Sequence, residues 1–145
     1  MFDIKVERVL KKDINAVFEI LADHNGYSHF RGVSQAALLE PGKEEKNGLG
    51  ALRFIKLGAI KFHERISHFQ RPTRLDYMVE KSNPFPMKDQ IGSLRLETVD
   101  TGTKVTWTSK GRVPVPILGK WFEKKVQQQA TKGFNSILKQ IERTC

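Results

Sequence analysis

The sequence predicts an α+β fold: one antiparallel sheet with a long C-terminal helix packed on its apolar face. Three observations predict it. "FDIKVERV" at the start alternates Ile4 and Val6 against Asp3, Lys5 and Glu7, the period of a half-buried strand. Six further strand-like stretches follow, at about 34–40, 49–57, 60–69, 74–82, 88–99 and 103–111, separated by Pro41-Gly42, Gly58, Pro72, Pro84, Pro86 and Gly102. From Pro116 onward the apolar positions run Leu118, Trp121, Phe122, Val126, Ala130, Phe134, Ile137, Leu138 and Ile141, in steps that suit an amphipathic helix.

Each element has its own local reason. After the first strand, Asp13 suits an N-cap, and Ile14, Val17, Phe18 and Leu21 fall on one helical face. "DHNGYSHF" (23–30) reads as a short helical turn. Pro116 suits the first turn of the last helix, where its missing N–H costs nothing. A sheet of this size must bury one face, and that helix is the only large apolar partner.

Composition bounds the function. The chain has 145 residues, is 39% hydrophobic and 28% charged, and shows no repeat or low-complexity linker, so a single domain over 1–145 is expected. Folding a chain of this length buries roughly 70% of its unfolded surface, enough for a sizeable core. No apolar run approaches the ~20 residues of a membrane span. The start "MFDIKVERVLKK" lacks the apolar centre of a signal peptide, and the one cysteine, Cys145, permits no intrachain disulfide. A cytoplasmic protein is therefore expected. The net charge of +9 reads mainly as a solvated basic surface, with contact to anionic lipid as a second possibility. Nucleic acid is not the expected partner, because the aromatics fall in core phase instead of interleaving with Lys and Arg.

"ALRFIKLGAIKFHERI" (51–66) poses the central question. With Gly58-Ala59 as a two-residue turn, Leu57 faces Ile60, Ile55 faces Phe62, Arg53 faces Glu64 and Ala51 faces Ile66. The apolar pairs share one face, which supports the register, and the charged pair lies on that same face. Pairing Ile66 with Leu75 then places Tyr77 opposite Glu64, extending a polar row across three strands. Such a row admits two readings. It is a self-satisfied buried ion pair, which seldom stabilises over an apolar substitute. Alternatively it lines a cavity where ligand or water completes the hydrogen bonding. Ala130 and Gly133 in the middle of the covering helix leave space there, unless the backbones approach closely. Phe85, Met87, Val115 and Ile117, on the Pro-rich stretches "NPFPMK" and "RVPVPILG", suit a mouth or a contact surface.

Catalytic motifs are absent: no phosphate loop, no nucleophile elbow and no cysteine pair. The four histidines lack metal-ligand spacing, so no metal is expected, and no cofactor. Glu64 could still serve as a base with Arg53 or Tyr77 holding an oxyanion.

"LGALRFIKLG", "FHERISHFQRPTRLDYMV" and "GSLRLETVDTGTKVTWTSKG", closed by the long helix, resemble the polyketide cyclase/dehydrase branch of the START-like (SRPBCC) superfamily over nearly the whole chain. The resemblance implies a helix-grip fold, a curved sheet of about seven strands around the C-terminal helix, with a pocket between them for lipid, quinone or polyketide-like molecules. It singles out no aromatase/cyclase residue set. The implied function is binding or transport of a hydrophobic small molecule. Arg53, Glu64 and Tyr77 would orient its polar group, and Ile55, Phe62, Leu94, Leu96, Val105, Trp107, Val126, Ala130 and Phe134 would form the wall. The alternative is a cyclase or lyase using Glu64 for proton transfer. No catalytic set is assigned, and the balance favours a non-enzyme.

Overall fold

The computed structural model describes residues 1–144; Cys145 lies outside the described residues. In chain order the elements are β1 (Phe2–Leu10), α1 (Ile14–Ala22), a 3-10 turn (Asn25–His29), β2 (Val33–Glu40), β3 (Leu52–Leu57), β4 (Ile60–Gln70), β5 (Arg74–Asn83), β6 (Lys88–Val99), β7 (Gly102–Arg112) and α2 (Gly119–Arg143). The strands form one antiparallel sheet in the order β1-β7-β6-β5-β4-β3-β2. This is the α+β, helix-grip architecture expected. Register shifts in the β2–β3, β4–β5 and β6–β7 ladders mark bulges, which bend a sheet around a core.

Asp13 caps α1 through its side-chain oxygen, which accepts from the Asn15 N–H at 3.0 Å. Val17, Phe18 and Leu21 are buried beneath that helix. The concave face of the sheet contributes Ile4, Val6, Ile55, Ile66, Leu75, Leu94, Leu96, Val105 and Trp107 to one core, and α2 closes it with Phe134, Ile137, Leu138 and Ile141. No described helix is long and apolar enough to cross a membrane.

Two expectations are corrected. The C-terminal helix begins at Gly119, not Pro116. Ile117 sits in the left-handed region at φ 68°, so the chain cannot run helically from Pro116 to Gly119. The β4–β5 register also differs. Ile66 pairs with Tyr77 and Glu64 with Val79, while Leu75 pairs with Phe69. Strand β4 continues to Gln70, and the turn shrinks to Arg71-Pro72-Thr73, closed by the Thr73 N–H on the Gln70 carbonyl at 2.9 Å. The shift is by two residues, so Tyr77 keeps its concave face.

Candidate functional site

The β3–β4 hairpin has the expected pairing, Arg53 with Glu64, Ile55 with Phe62 and Leu57 with Ile60, about a turn with Gly58 at φ 60°. Both charged side chains point into the core, Arg53 at 1% exposure and Glu64 at 6%. Arg53 Nε–H donates to Glu64 Oε1 at 2.8 Å. The guanidinium lies between two aromatic rings, 4.9 Å from the centre of Tyr27 and 4.8 Å from that of Tyr77. Cation–π contact on both faces suits a guanidinium removed from water. Burial is the largest single influence and opposes its charge, but Glu64, Tyr27 and Tyr77 together outweigh it and raise its pKa above the usual value.

A fourth member, His24, went unassigned in the sequence reading. It is fully buried. Its Nε2–H donates to the Asn47 carbonyl at 2.8 Å, leaving Nδ1 to accept from Arg53 Nη1 at 3.3 Å. Burial first, and the Arg53 charge second, lower the His24 pKa to about 3, so the ring is neutral. Sequence spacing could not show this, because Asn47 and Arg53 lie 23 and 29 residues away. A histidine next to a 3-10 turn, followed by Tyr27, was the only local signal.

Hydrogen-bonding groups of the cluster remain uncommitted, two of them beside the apolar wall. Trp107 Nε1–H donates to the Tyr77 hydroxyl oxygen at 3.1 Å, but among the described residues the Tyr77 O–H has no acceptor. Burial, then the Glu64 charge, raises the Tyr77 pKa, which keeps the phenol protonated. Glu64 Oε1 is taken by Arg53, while Oε2 meets no donor among the described residues. By contrast, Tyr27 O–H is committed to the Leu21 carbonyl at 2.8 Å. Tyr77 O–H and Glu64 Oε2 are thus a donor and an acceptor left over beside Arg53, and the buried Asn47 Oδ1 next to His24 also has no partner among the described residues.

The expected apolar wall divides into two parts. Ile55, Phe62, Leu94, Leu96, Val105 and Trp107 are buried on the sheet, and Trp107 stacks on Phe134 of α2 at 4.0 Å between ring centres and 4° between planes. At that level sheet and helix are in contact. Toward the start of α2 the packing loosens. Val126 and Ala130 are only half-buried, and a Cβ placed on Gly133 would meet nothing within 4 Å. Gly133 therefore does not serve close helix–sheet packing. Of the loop residues, Phe85 packs on Phe122 with ring centres 4.5 Å apart, and Met87 packs against the core, whereas Ile117 is wholly exposed. Among the described residues no three His, Cys, Asp or Glu side chains are grouped to hold a metal ion.

An antiparallel sheet that grips a C-terminal helix and keeps a polar cluster on its concave floor defines a START-like protein. The chain belongs to the polyketide cyclase/dehydrase and lipid transport family, whose profile matches residues 1–143. No curated protein sequence matches it. Solved structures share the fold at low identity. A START superfamily protein from Mycobacterium smegmatis superposes with a TM-score of 0.78 at 11% identity, over 98% of this chain and 95% of that one. A protein from Thermus thermophilus gives 0.79 at 18% identity, over 97% and 94%. The Zhui aromatase/cyclase of a Streptomyces species gives 0.74 at 18%, over 97% and 93%.

Proposed function

We propose that the protein binds a hydrophobic small molecule between the concave sheet and the first half of α2, and carries it without chemical change. The observation behind this reading is the leftover pair, a Tyr77 O–H without an acceptor and a Glu64 oxygen without a donor. A hydroxyl with a spare hydrogen and a carboxylate oxygen still open to approach, beside a loosely covered apolar face, suit a ligand that brings its own acceptor and donor. A ring or chain bearing a carbonyl and a hydroxyl, as in quinones and polyketides, has that chemistry. Arg53 serves here as the post that aims Glu64, since His24, Glu64 and both tyrosine rings already surround it.

The same pair could move a proton, Glu64 taking one from an acidic C–H while Tyr77 donates to the developing oxyanion. Similarity of fold to an aromatase/cyclase keeps this second reading in view. Native mass spectrometry of the purified protein, followed by extraction of what it carries, identifies the ligand. Tyr77→Phe then weakens binding by about 1 kcal/mol, the worth of one hydrogen bond. Glu64→Gln has one oxygen, which Arg53 Nε–H claims, so in a carrier it loses the acceptor for the ligand and weakens binding by about 1–3 kcal/mol. Conversion of the extracted molecule by wild type but not by Glu64→Gln would establish the enzyme instead. A core that captures no hydrophobic ligand from lipid, quinone or polyketide extracts defeats both readings.

A further inference from the structure

The largest concentration of exposed apolar surface lies outside the core, where β7 leads into α2. Ile117 is 100% exposed, Leu118 51% and Trp121 54%. Ile117 occupies the left-handed backbone region at φ 68°, which β-branched residues avoid. The fold thus holds a large apolar side chain fully in water on a backbone that disfavours it. Among the described residues nothing covers Ile117, and Leu118 and Trp121 keep about half of their surface in water.

The charges in the surrounding stretch of chain are mostly basic. Residues 110–125 carry Lys110, Arg112, Lys120, Lys124 and Lys125 against Glu123 alone. Glu123 is already engaged, by the Met1 amino group at 2.9 Å and by the Val113 N–H at 3.3 Å. Asp89, on the neighbouring loop, is paired with Arg112 at 3.3 Å. Lys125 Nζ lies 5.5 Å from the centre of the Trp121 ring, an amphipathic pairing of the kind found where protein meets lipid headgroups. An apolar tip rimmed by lysines complements an anionic bilayer: the tip enters the acyl boundary and the ammonium groups stay at the phosphates.

We propose that Ile117, Leu118 and Trp121, with Lys120, Lys124 and Lys125, form a docking tip for an anionic lipid bilayer. The tip connects with the interior. Trp121 meets Phe122 edge-on at 5.0 Å between ring centres, Phe122 meets Phe85 at 4.5 Å, and Met87, two residues beyond Phe85, packs against the core. An apolar path therefore runs from the docking surface toward the loosely covered half of α2. The inference does not depend on what the core binds, because vesicle association reads the tip alone.

The two tryptophans make the test direct. Trp107 is 2% exposed and stacked on Phe134, so only Trp121 can change its surroundings on docking. With vesicles of phosphatidylcholine and phosphatidylserine, the emission shifts to the blue and brominated acyl chains quench it. Raising salt from about 0.1 M to about 1 M shortens the screening length from about 10 Å to about 3 Å and lowers partitioning at least tenfold. In co-sedimentation Ile117→Ser with Leu118→Ser costs at least about tenfold, and Lys120→Gln with Lys124→Gln and Lys125→Gln removes most of the salt dependence. Unchanged far-ultraviolet circular dichroism shows that each variant folds. The proposal is overturned by unshifted Trp121 emission with anionic vesicles, or by equal binding to pure phosphatidylcholine. It is also overturned by a wild-type dimer in equilibrium sedimentation that Ile117→Ser with Leu118→Ser converts to monomer.

Discussion

His24 is the residue whose ionisation most constrains the fold. It must be neutral to accept from Arg53, and its pKa in the folded state is about 3 against an ordinary 6.5. Below pH 6.5 the unfolded chain takes up a proton that the folded chain refuses until about pH 3. Stability is therefore full above pH 6.5 and falls as the solution is acidified, by about 1.4 kcal/mol per pH unit while only the unfolded state is protonated. Urea unfolding of wild type at pH 6.5 and pH 4.5 should show a loss from this source of roughly 2–3 kcal/mol. His24→Gln can still donate to the Asn47 carbonyl and accept from Arg53 but does not titrate. Its stability should decline less over the same interval by that amount, and parallel declines would refute the assignment. Arg53 and Glu64 were legible as an inward pair from the hairpin alone. His24 was not, because its direction is set by contacts with Asn47 and Arg53 that no local pattern encodes.

Glycine separates the elements that are packed from those that are not. Gly92 of β6 pairs with Tyr77 of β5, and a Cβ there would lie 2.1 Å from the Tyr77 ring. That ring cannot retreat easily, since Arg53 covers one side and Trp107 holds its hydroxyl. Gly92→Ala should cost about 1–3 kcal/mol by overpacking and disturb the Tyr77 hydroxyl. Gly133 of α2 is the opposite case, with open space where its Cβ would stand. Gly133→Ala should gain up to about 1 kcal/mol of helix propensity and raise the melting temperature by roughly 2–4 °C. Calorimetry of both variants checks the pair, and a destabilised Gly133→Ala would show that the space is not free. At this scale the sequence was informative where geometry is local. The two-residue turn at Gly58-Ala59 set the β3–β4 register, whereas the β4–β5 register depended on bulges and on how far β4 runs before Pro72. The start of α2 was misplaced for a similar reason: the left-handed Ile117 leaves no mark in a pattern of apolar spacing.

In the whole molecule, α2 is anchored unequally. Its second half buries Phe134, Ile137, Leu138 and Ile141 in the common core, while the first half, apart from Gly119 at its start, buries none of its side chains. What holds the first half is the partial packing of Val126 and Ala130 on the core and, at the periphery, Glu123 on the Met1 amino group and Val113 N–H, Gln127 on the Asp3 N–H at 3.5 Å, and the Phe85–Phe122 contact. Local opening has a low free energy where few apolar contacts are lost. The helix should therefore open from Gly119 to about Gly133, where glycine weakens it, while the rest stays seated on the sheet. Opening that segment would loosen the cover beside Trp107, whose ring stays stacked on Phe134, and it is the movement a ligand needs to enter. Hydrogen exchange should find amides 122–132 less protected than those of 135–141 by at least about tenfold, or ~1.4 kcal/mol of opening free energy. Gly133→Ala should narrow the difference, and the ligand recovered by extraction should narrow it further, because a ligand that binds only the closed form stabilises it by mass action. Uniform protection along α2, unaltered by ligand, would mean that the helix moves as one body and that entry must take another route.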